Sequence, residues 1–385
     1  MRMKRILTLV SILCLLAVVP REAQAEALNI PAKSALLMDV ATGTVLYEKN
    51  AHEALAPASV TKVMTMLLIM EAIDSGSIHY DDIVTASEAA AAKGGSQIYL
   101  KAGEQMSVSE MLKSIAVSSA NDCACAMAEH LSGSESAFVD RMNTRAKELG
   151  MEDTHFVNCT GLDDGPDAES HKTSAYDIAL MSRELLGKHP DIEKYTTIWM
   201  DTVRNGAFGL SNTNKLIRFY PGATGLKTGF TSAAGYCLSA SAQREGLELI
   251  AVTMGAQSAK IRNAACKAML DYGFANFALV EPALEENAQV PVKLGKAPGV
   301  SAVLEGNQSL LIPKAKKSGL KTDITLLDSV TAPVAQGTPL GTLTLRSGDE
   351  TLLEAPLVAA QAVPRKSFWE IYIQVLKRAA MAKMA

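Results

Sequence analysis

Three short groups of residues have side chains and spacings suited to covalent chemistry. Ser59-Val60-Thr61-Lys62 follows Pro57-Ala58 at the head of an apolar helical stretch. On a helix Ser59 and Lys62 share a face, so the lysine amine can take the proton of a nucleophilic hydroxyl. The amine must be neutral to do so, and burial or a second nearby cation lowers its pKa. A serine in that place is also an ordinary helix N-cap. The spacing alone is weak, because roughly one or two such pairs arise by chance in a chain of this size. Ser119-Ala120-Asn121 sets a hydroxyl and a carboxamide two residues apart. They could meet both a lysine and a substrate amide, although the two residue types also favour caps and turns. Lys227-Thr228-Gly229 offers a cation and a hydroxyl to an anionic group, and Gly229 leaves room for close approach. On a strand edge these residues could receive an extended peptide by strand addition, while an edge lysine by itself only discourages aggregation.

The elements that must position these groups are readable from hydrophobic period. Residues 34–39 and 43–47 form a predicted hairpin around Ala41-Thr42-Gly43. Residues 60–73, 111–131, 140–149 and 175–186 have helical period, with the second group of chemical residues beside the 111–131 helix. Residues 225–229, 235–242 and 247–255 read as adjacent strands with short connections, followed by a closing helix over 266–272. A sheet made from both ends of this region, with helices between, is an α+β pattern. From about 278 to 363 the texture changes. Runs at 289–294, 300–304, 309–312, 324–327, 342–345 and 352–353 alternate with Gly, Pro and charged turns, which predicts a small all-β domain.

Both ends of the 385-residue chain differ from the rest. Arg2, Lys4 and Arg5 precede an apolar run over 6–19 and the small-residue site Ala23-Gln24-Ala25. That pattern predicts an export signal over 1–25, and the run is short for a membrane-spanning helix. Cys14 lies inside the run after Ile12 and Leu13, so it does not read as a lipid attachment site. At the other end, over 364–385, Phe368, Trp369, Tyr372, Ile373, Leu376 and Ala380 share one helical face. Glu370, Gln374, Lys377 and Met381 lie opposite, which suits a helix lying in a membrane surface better than one docked on the body. The predicted organisation is a signal over 1–25, a catalytic domain over 26–277, an all-β domain over 278–363 and a membrane-associating helix over 364–385.

Composition narrows the function. Charged residues make up 20% and the net charge is −4, so no concentrated basic surface argues for nucleic acid. Beyond the signal five cysteines remain: Cys123, Cys125, Cys159, Cys237 and Cys266. An odd count without CxxC spacing reads as buried thiols, not a disulfide framework or metal site. No HExxH or GxSxG is present, which lowers the case for a zinc peptidase and for a lipase-like hydrolase. Neither metal nor cofactor is expected.

What decides is the conjunction of SxxK, SxN and KTG in that order, on a helix start, a helix-side loop and a strand. The stretches YEKNAHEALAPASVTKVMT, SSANDCACAMAEH, HKTSAYDIALMSREL and TGLKTGFTSAAGYCLSASA resemble the low-molecular-weight penicillin-binding proteins, the serine-type D-alanyl-D-alanine carboxypeptidases. The resemblance runs through the exported chain, including the β-rich region and the tail. It implies a penicillin-binding/β-lactamase-like transpeptidase fold, an antiparallel sheet flanked by helices. It also implies roles. Ser59 is acylated, Lys62 is the base, and Ser119 relays a proton to the leaving amine near Lys227. Asn121 orients the substrate, and the backbone N–H groups of Ser59 and Phe230 hold the oxyanion. Thr228 and Arg262 receive the terminal carboxylate, the latter resting on alignment alone. Ala120 stands where the family usually has glycine, and Phe230 where many relatives have histidine; a backbone role at Phe230 tolerates that change. The implied partners are peptidoglycan pentapeptide stems, β-lactams as covalent inhibitors and a membrane surface, with the protein on the outer face of the cytoplasmic membrane. A class A β-lactamase is the nearest rival, but no Glu between Asn121 and Lys227 is followed four residues on by Asn. A D,D-endopeptidase shares the motifs, and an inactive wall-binding protein is the alternative of another class.

Overall fold

The computed structural model describes residues 28–284, 288–306 and 308–382. The export signal expected over 1–25 lies outside them. Five antiparallel strands form the central sheet in the spatial order Val45–Lys49, Ser34–Asp39, Leu247–Ala256, Gly235–Arg244, Ala223–Thr231. The sheet therefore joins the start of the described chain to a late segment, as the strand pattern predicts. All of Ser34–Asp39 is buried because both faces of the sheet are covered. Leu36 and Met38 join the core shared with helices Lys62–Asp74 and Ala175–Lys188. Ala35 and Leu37 join a second core under helix Ala259–Asn276. A strand buried on both sides reads as one apolar run without alternation, and Ala35-Leu36-Leu37-Met38 does. Lys62–Asp74 is buried along nearly its whole length, as a helix apolar on every side must be. It runs through the middle of the helical layer and carries Lys62 in its first turn.

Two predicted helices differ in extent. The 111–131 stretch is two helices, Val108–Ser118 and Asn121–Ser132, parted at Ser119 and Ala120. Ser119 adopts the left-handed conformation (φ +63°), which no continuous helix can contain. The apolar period runs on across the break because both helices bury their faces in one core. Ala259–Asn276 begins seven residues before the predicted start at 266. Ser258 caps it, accepting from the N–H of Ile261, and the polar residues Lys260, Arg262 and Asn263 mask its first turns.

Beyond the sheet the chain is β-rich. Six strands pair in the order Leu320–Leu326, Pro339–Ser347, Glu350–Ala359, Gly299–Leu304, Gln289–Lys293, Val330–Thr331, over a small core that includes Val290, Leu340, Leu343 and Leu357. Phe277–Val280 pairs with Leu310–Pro313, and Phe277, Leu279 and Leu311 pack on the core under helix Ala259–Asn276. The β-rich region is thus attached by a short ladder and apolar contact. The tail helix spans Phe368–Ala382 and opens on a reciprocal cap: the N–H of Ser367 donates to Glu370, and the N–H of Glu370 donates to Ser367 Oγ. Phe368 and Trp369 are about 70% exposed, at 72% and 68%, so this face is not docked on the body. Among the described residues no helix is long and apolar enough to cross a membrane.

Candidate active site

Ser59 lies in a 3-10 turn, Ala58–Thr61, that runs directly into helix Lys62–Asp74. Side chains three apart eclipse in such a turn, which aligns Ser59 with Lys62 more closely than an α-helix would. Lys62 Nζ lies 3.0 Å from Ser59 Oγ and donates to the carbonyl of Thr160 at 2.7 Å. The ordinary cap reading of Ser59 fails, because no side chain caps this helix. Lys62 is fully buried. Burial lowers its pKa to about 7, with Cys159 and Asp122 pulling the other way. Its amine is therefore substantially neutral near pH 7.

A second layer holds the serine turn. The N–H of Val157 donates to His171 Nδ1, so Nε2 carries the proton and donates to Thr61 Oγ1 at 2.8 Å. Thr61 Oγ1 in turn donates to the carbonyl of Ala58 at 2.8 Å. This chain requires neutral imidazole, and burial lowers the His171 pKa to about 4, helped by His155 and Lys62. Ala58 has φ +49°, unusual for a residue with a Cβ. Gly161 (φ +82°) lies against it, and a Cβ there would come within 1.8 Å of the Ala58 oxygen. The 158–162 loop that places Thr160 and Gly161 is pinned by Asn158 Oδ1, which accepts from both of their N–H groups.

The break between Val108–Ser118 and Asn121–Ser132 presents Ser119 and Asn121. Ser119 Oγ and Asn121 Oδ1 are buried with no hydrogen-bond partner among the described residues, a costly arrangement unless a ligand completes it. Asn121 Nδ2 donates to the carbonyl of Gly94, and its N–H to that of Ser96. Asp122 fixes the same loop by accepting from the N–H groups of Ile98 and Leu100. A Cβ on Gly95 would touch both Asn121 Nδ2 and Leu162. The SxN turn thus abuts the loop whose Thr160 carbonyl holds Lys62.

Lys227, Thr228 and Gly229 lie on the outer strand of the sheet, Ala223–Thr231. A Cβ on Gly229 would sit 2.7 Å from the Pro57 oxygen and 3.1 Å from the Ser59 nitrogen, so glycine lets the strand run against the serine turn. Lys227 is buried and donates to the Thr228 carbonyl at 2.8 Å. Burial drives its pKa well down, and the charges of Lys62 and Arg262 add to this. Thr228 Oγ1 donates to Thr213 Oγ1. Arg262 is buried in the first turn of Ala259–Asn276 and donates to Asn263 Oδ1. Among the described residues, none of Lys62, Lys227 and Arg262 has a carboxylate at salt-bridge distance. Phe230, next along the strand, is half exposed. Five described cysteines are free and buried, and among the described residues no metal-binding cluster of His, Cys, Asp or Glu occurs. The sequence reading missed Thr61, Asn158, Thr160, Gly161 and His171. Asn158-Cys159-Thr160-Gly161 has turn composition, the one signal available.

A serine beside a buried lysine, on an antiparallel sheet walled by helices, defines the architecture of a serine enzyme of acyl transfer. The chain belongs to the D-alanyl-D-alanine carboxypeptidase family, peptidase S11, whose model matches residues 21–258. Residues 282–365 match the C-terminal domain of penicillin-binding protein 5. The chain is 47% identical to D-alanyl-D-alanine carboxypeptidase DacF of Bacillus subtilis over 90% of its length and 88% of that protein's. It is 34% identical to DacA of Escherichia coli K12 over 91% and 88%. Penicillin-binding protein 5 of Haemophilus influenzae superposes with a TM-score of 0.72 at 31% identity, covering 88% of this chain and 98% of that one. Penicillin-binding protein D2 of Listeria monocytogenes, solved in an ampicillin-bound form, gives 0.59 at 32% identity, covering 64% and 99%.

Proposed function

We propose that this chain, a serine-type D-alanyl-D-alanine carboxypeptidase by family, removes the terminal D-alanine of peptidoglycan pentapeptide stems through an acyl-enzyme on Ser59. The observation that carries the assignment is the fully buried Lys62 amine, 3.0 Å from Ser59 Oγ and without a carboxylate partner. Lys62 takes the Ser59 proton as Oγ bonds to the carbonyl carbon of the penultimate residue. The backbone N–H groups of Ser59 and Phe230 hold the oxyanion, a contribution of about 3–4 kcal/mol per donor in other enzymes. The C–N bond then breaks, and Ser119 passes the proton to the departing amine of D-alanine. Asn121 orients the peptide. Lys227, Thr228 and Arg262 receive the terminal carboxylate, whose charge offsets the mutual repulsion of cations that otherwise lack a counter-ion. Water hydrolyses the ester and restores Ser59. A penicillin follows the same first steps, but its leaving amine stays tethered and the ester persists.

The wider organisation is part of the proposal: an export signal over 1–25, a catalytic domain over 26–277, a β domain over 278–363 and an amphipathic helix over 364–385. The exposed apolar face of the tail supports seating on the outer surface of the cytoplasmic membrane. The test is a labelled penicillin followed by mass spectrometry, beside a pentapeptide ending in D-Ala-D-Ala. The expected result is one adduct, on Ser59, and release of one D-alanine per peptide. An adduct elsewhere, or none on folded protein, overturns the Ser59 assignment. Rapid turnover to penicilloic acid would indicate a β-lactamase, and cleavage only of cross-linked dimers an endopeptidase.

A further inference from the structure

The peptide unit that joins Ala58 to Ser59 is trans and planar, so its carbonyl and its N–H point in opposite directions. Whatever fixes the Ala58 oxygen therefore aims the Ser59 N–H. The oxygen edge faces the interior: Thr61 Oγ1 donates to it at 2.8 Å, and a Cβ on Gly161 would come within 1.8 Å of it. The nitrogen edge faces the outer strand, where a Cβ on Gly229 would lie 3.1 Å from the Ser59 nitrogen. Phe230, whose N–H is the other proposed oxyanion donor, is the next residue along that strand. Ala58 has φ +49°, a conformation that a residue with a Cβ seldom adopts, so its own backbone preference does not hold the plane.

A threonine hydroxyl bonded to a carbonyl one turn back is by itself commonplace. Here the hydroxyl is fixed from its other side as well. His171 Nε2 donates to Thr61 Oγ1 at 2.8 Å, and the N–H of Val157 holds the ring by donating to Nδ1 at 3.1 Å. A hydroxyl that accepts from the imidazole keeps its own proton for the Ala58 oxygen. Both side chains are buried, so water does not compete for these bonds. Burial also keeps the imidazole neutral, and His155 and Lys62, the titratable groups beside it, act in the same direction. We propose that His171 and Thr61 are positioning residues for the oxyanion site, aiming the Ser59 N–H by holding the Ala58 carbonyl. The inference rests on Ser59 being the acylated residue.

The experiment acylates full-length protein with a penicillin carrying carbon-13 at its lactam carbonyl. It reads the acylation rate and the stretching frequency of the ester carbonyl in the acyl-enzyme. Hydrogen bonds from the oxyanion donors lower that frequency, and a residue with a purely structural role leaves it unmoved. Thr61→Val removes the hydroxyl and nearly keeps the shape. It is expected to slow acylation roughly 10-fold or more, short of the about 10²–10³-fold lost when a donor is removed outright, without weakening the reversible binding that precedes it. The ester carbonyl is expected to move to higher frequency. Thr61→Ser, which keeps the hydroxyl, is expected to preserve both quantities. Two substitutions divide the imidazole's bonds: the amide of His171→Asn can accept from Val157 in the place of Nδ1, and that of His171→Gln can donate to Thr61 in the place of Nε2. The frequency is expected to rise in His171→Asn and to hold in His171→Gln. An unshifted frequency in folded Thr61→Val and His171→Asn overturns the proposal, whatever their rates or stabilities. If Thr61→Val does not fold, the His171 pair decides alone. Labelling of the unaltered chain on a residue other than Ser59 would instead remove the function assignment on which the inference rests.

Discussion

Removal of water lowers the Lys62 pKa, against two nearby groups that favour its charged form, and so suits the amine to the base role proposed for it. Its pKa of about 7 has two consequences of defined sign. The acylation rate is expected to rise as pH passes through about 7 and to level off above, because only the neutral amine accepts a proton; stopped-flow labelling across pH 5.5–9 measures this. Stability also rises with pH from about 7 toward the ordinary lysine value, since over that window the unfolded chain holds a proton that the folded one has lost. Replacing Lys62 by Met is expected to cut acylation about 10²- to 10⁴-fold, the usual worth of a positioned base, while leaving the protein folded. His171 gives a pH dependence of the same sign in a lower window. Its folded pKa of about 4 lies below the usual 6.5, so its contribution is lost as pH falls from about 6.5 toward 4. At this scale Ser59 and Lys62 were legible because their spacing is itself the geometry. The Thr160 carbonyl that holds the amine was not, because a backbone oxygen has no residue type. Arg262 could be placed only by resemblance, because nothing local connects a helix residue to a strand 35 positions earlier in the chain.

The break at Ser119 shows why one helical period concealed two helices. Both segments bury apolar faces in the same core, so the pattern does not lapse, and only Ser119-Ala120-Asn121-Asp122 marks the interruption with cap-forming types. The left-handed Ser119 offers a way to separate conformation from chemistry. Ser119→Gly removes a conformational cost of roughly 1–2 kcal/mol and the hydroxyl together. Thermal unfolding is expected at the same or a slightly higher temperature, with release of D-alanine down by at least about 10²-fold. Retained activity would leave Ser119 with a backbone role alone. The facing loop has a converse test. Gly161→Ala drives a methyl into the Ala58 carbonyl, and the expected cost is about 1–3 kcal/mol in chemical denaturation together with slower labelling of Ser59. The central strands were legible as buried apolar runs. The polar first turns of Ala259–Asn276 hid its start, which is where Arg262 lies.

In the whole molecule, the catalytic layers, β-rich region and tail follow one another along the chain, as the change in texture after 277 predicts. The strands beyond that point were found but drawn short. Pro339–Ser347 and Glu350–Ala359 pair over nearly their full length, although apolar residues mark only their middles. Deleting residues after 364 is expected to leave D-alanine release from soluble peptide unchanged while abolishing sedimentation with anionic vesicles; sedimentation that persists would refute the tail as the anchor. The joint between Phe277–Val280 and Leu310–Pro313 bears on how the enzyme, if tethered by its tail as proposed, would meet an insoluble substrate. A flexible tether would let the active site roam a volume whose radius grows with linker length. With the tail seated on a membrane as proposed, a paired and packed joint would instead hold it at a fixed height, so that distance above the bilayer, more than affinity, would decide which layer of the wall is trimmed. Lengthening that stalk would then shift the stratum processed without changing turnover on free peptide.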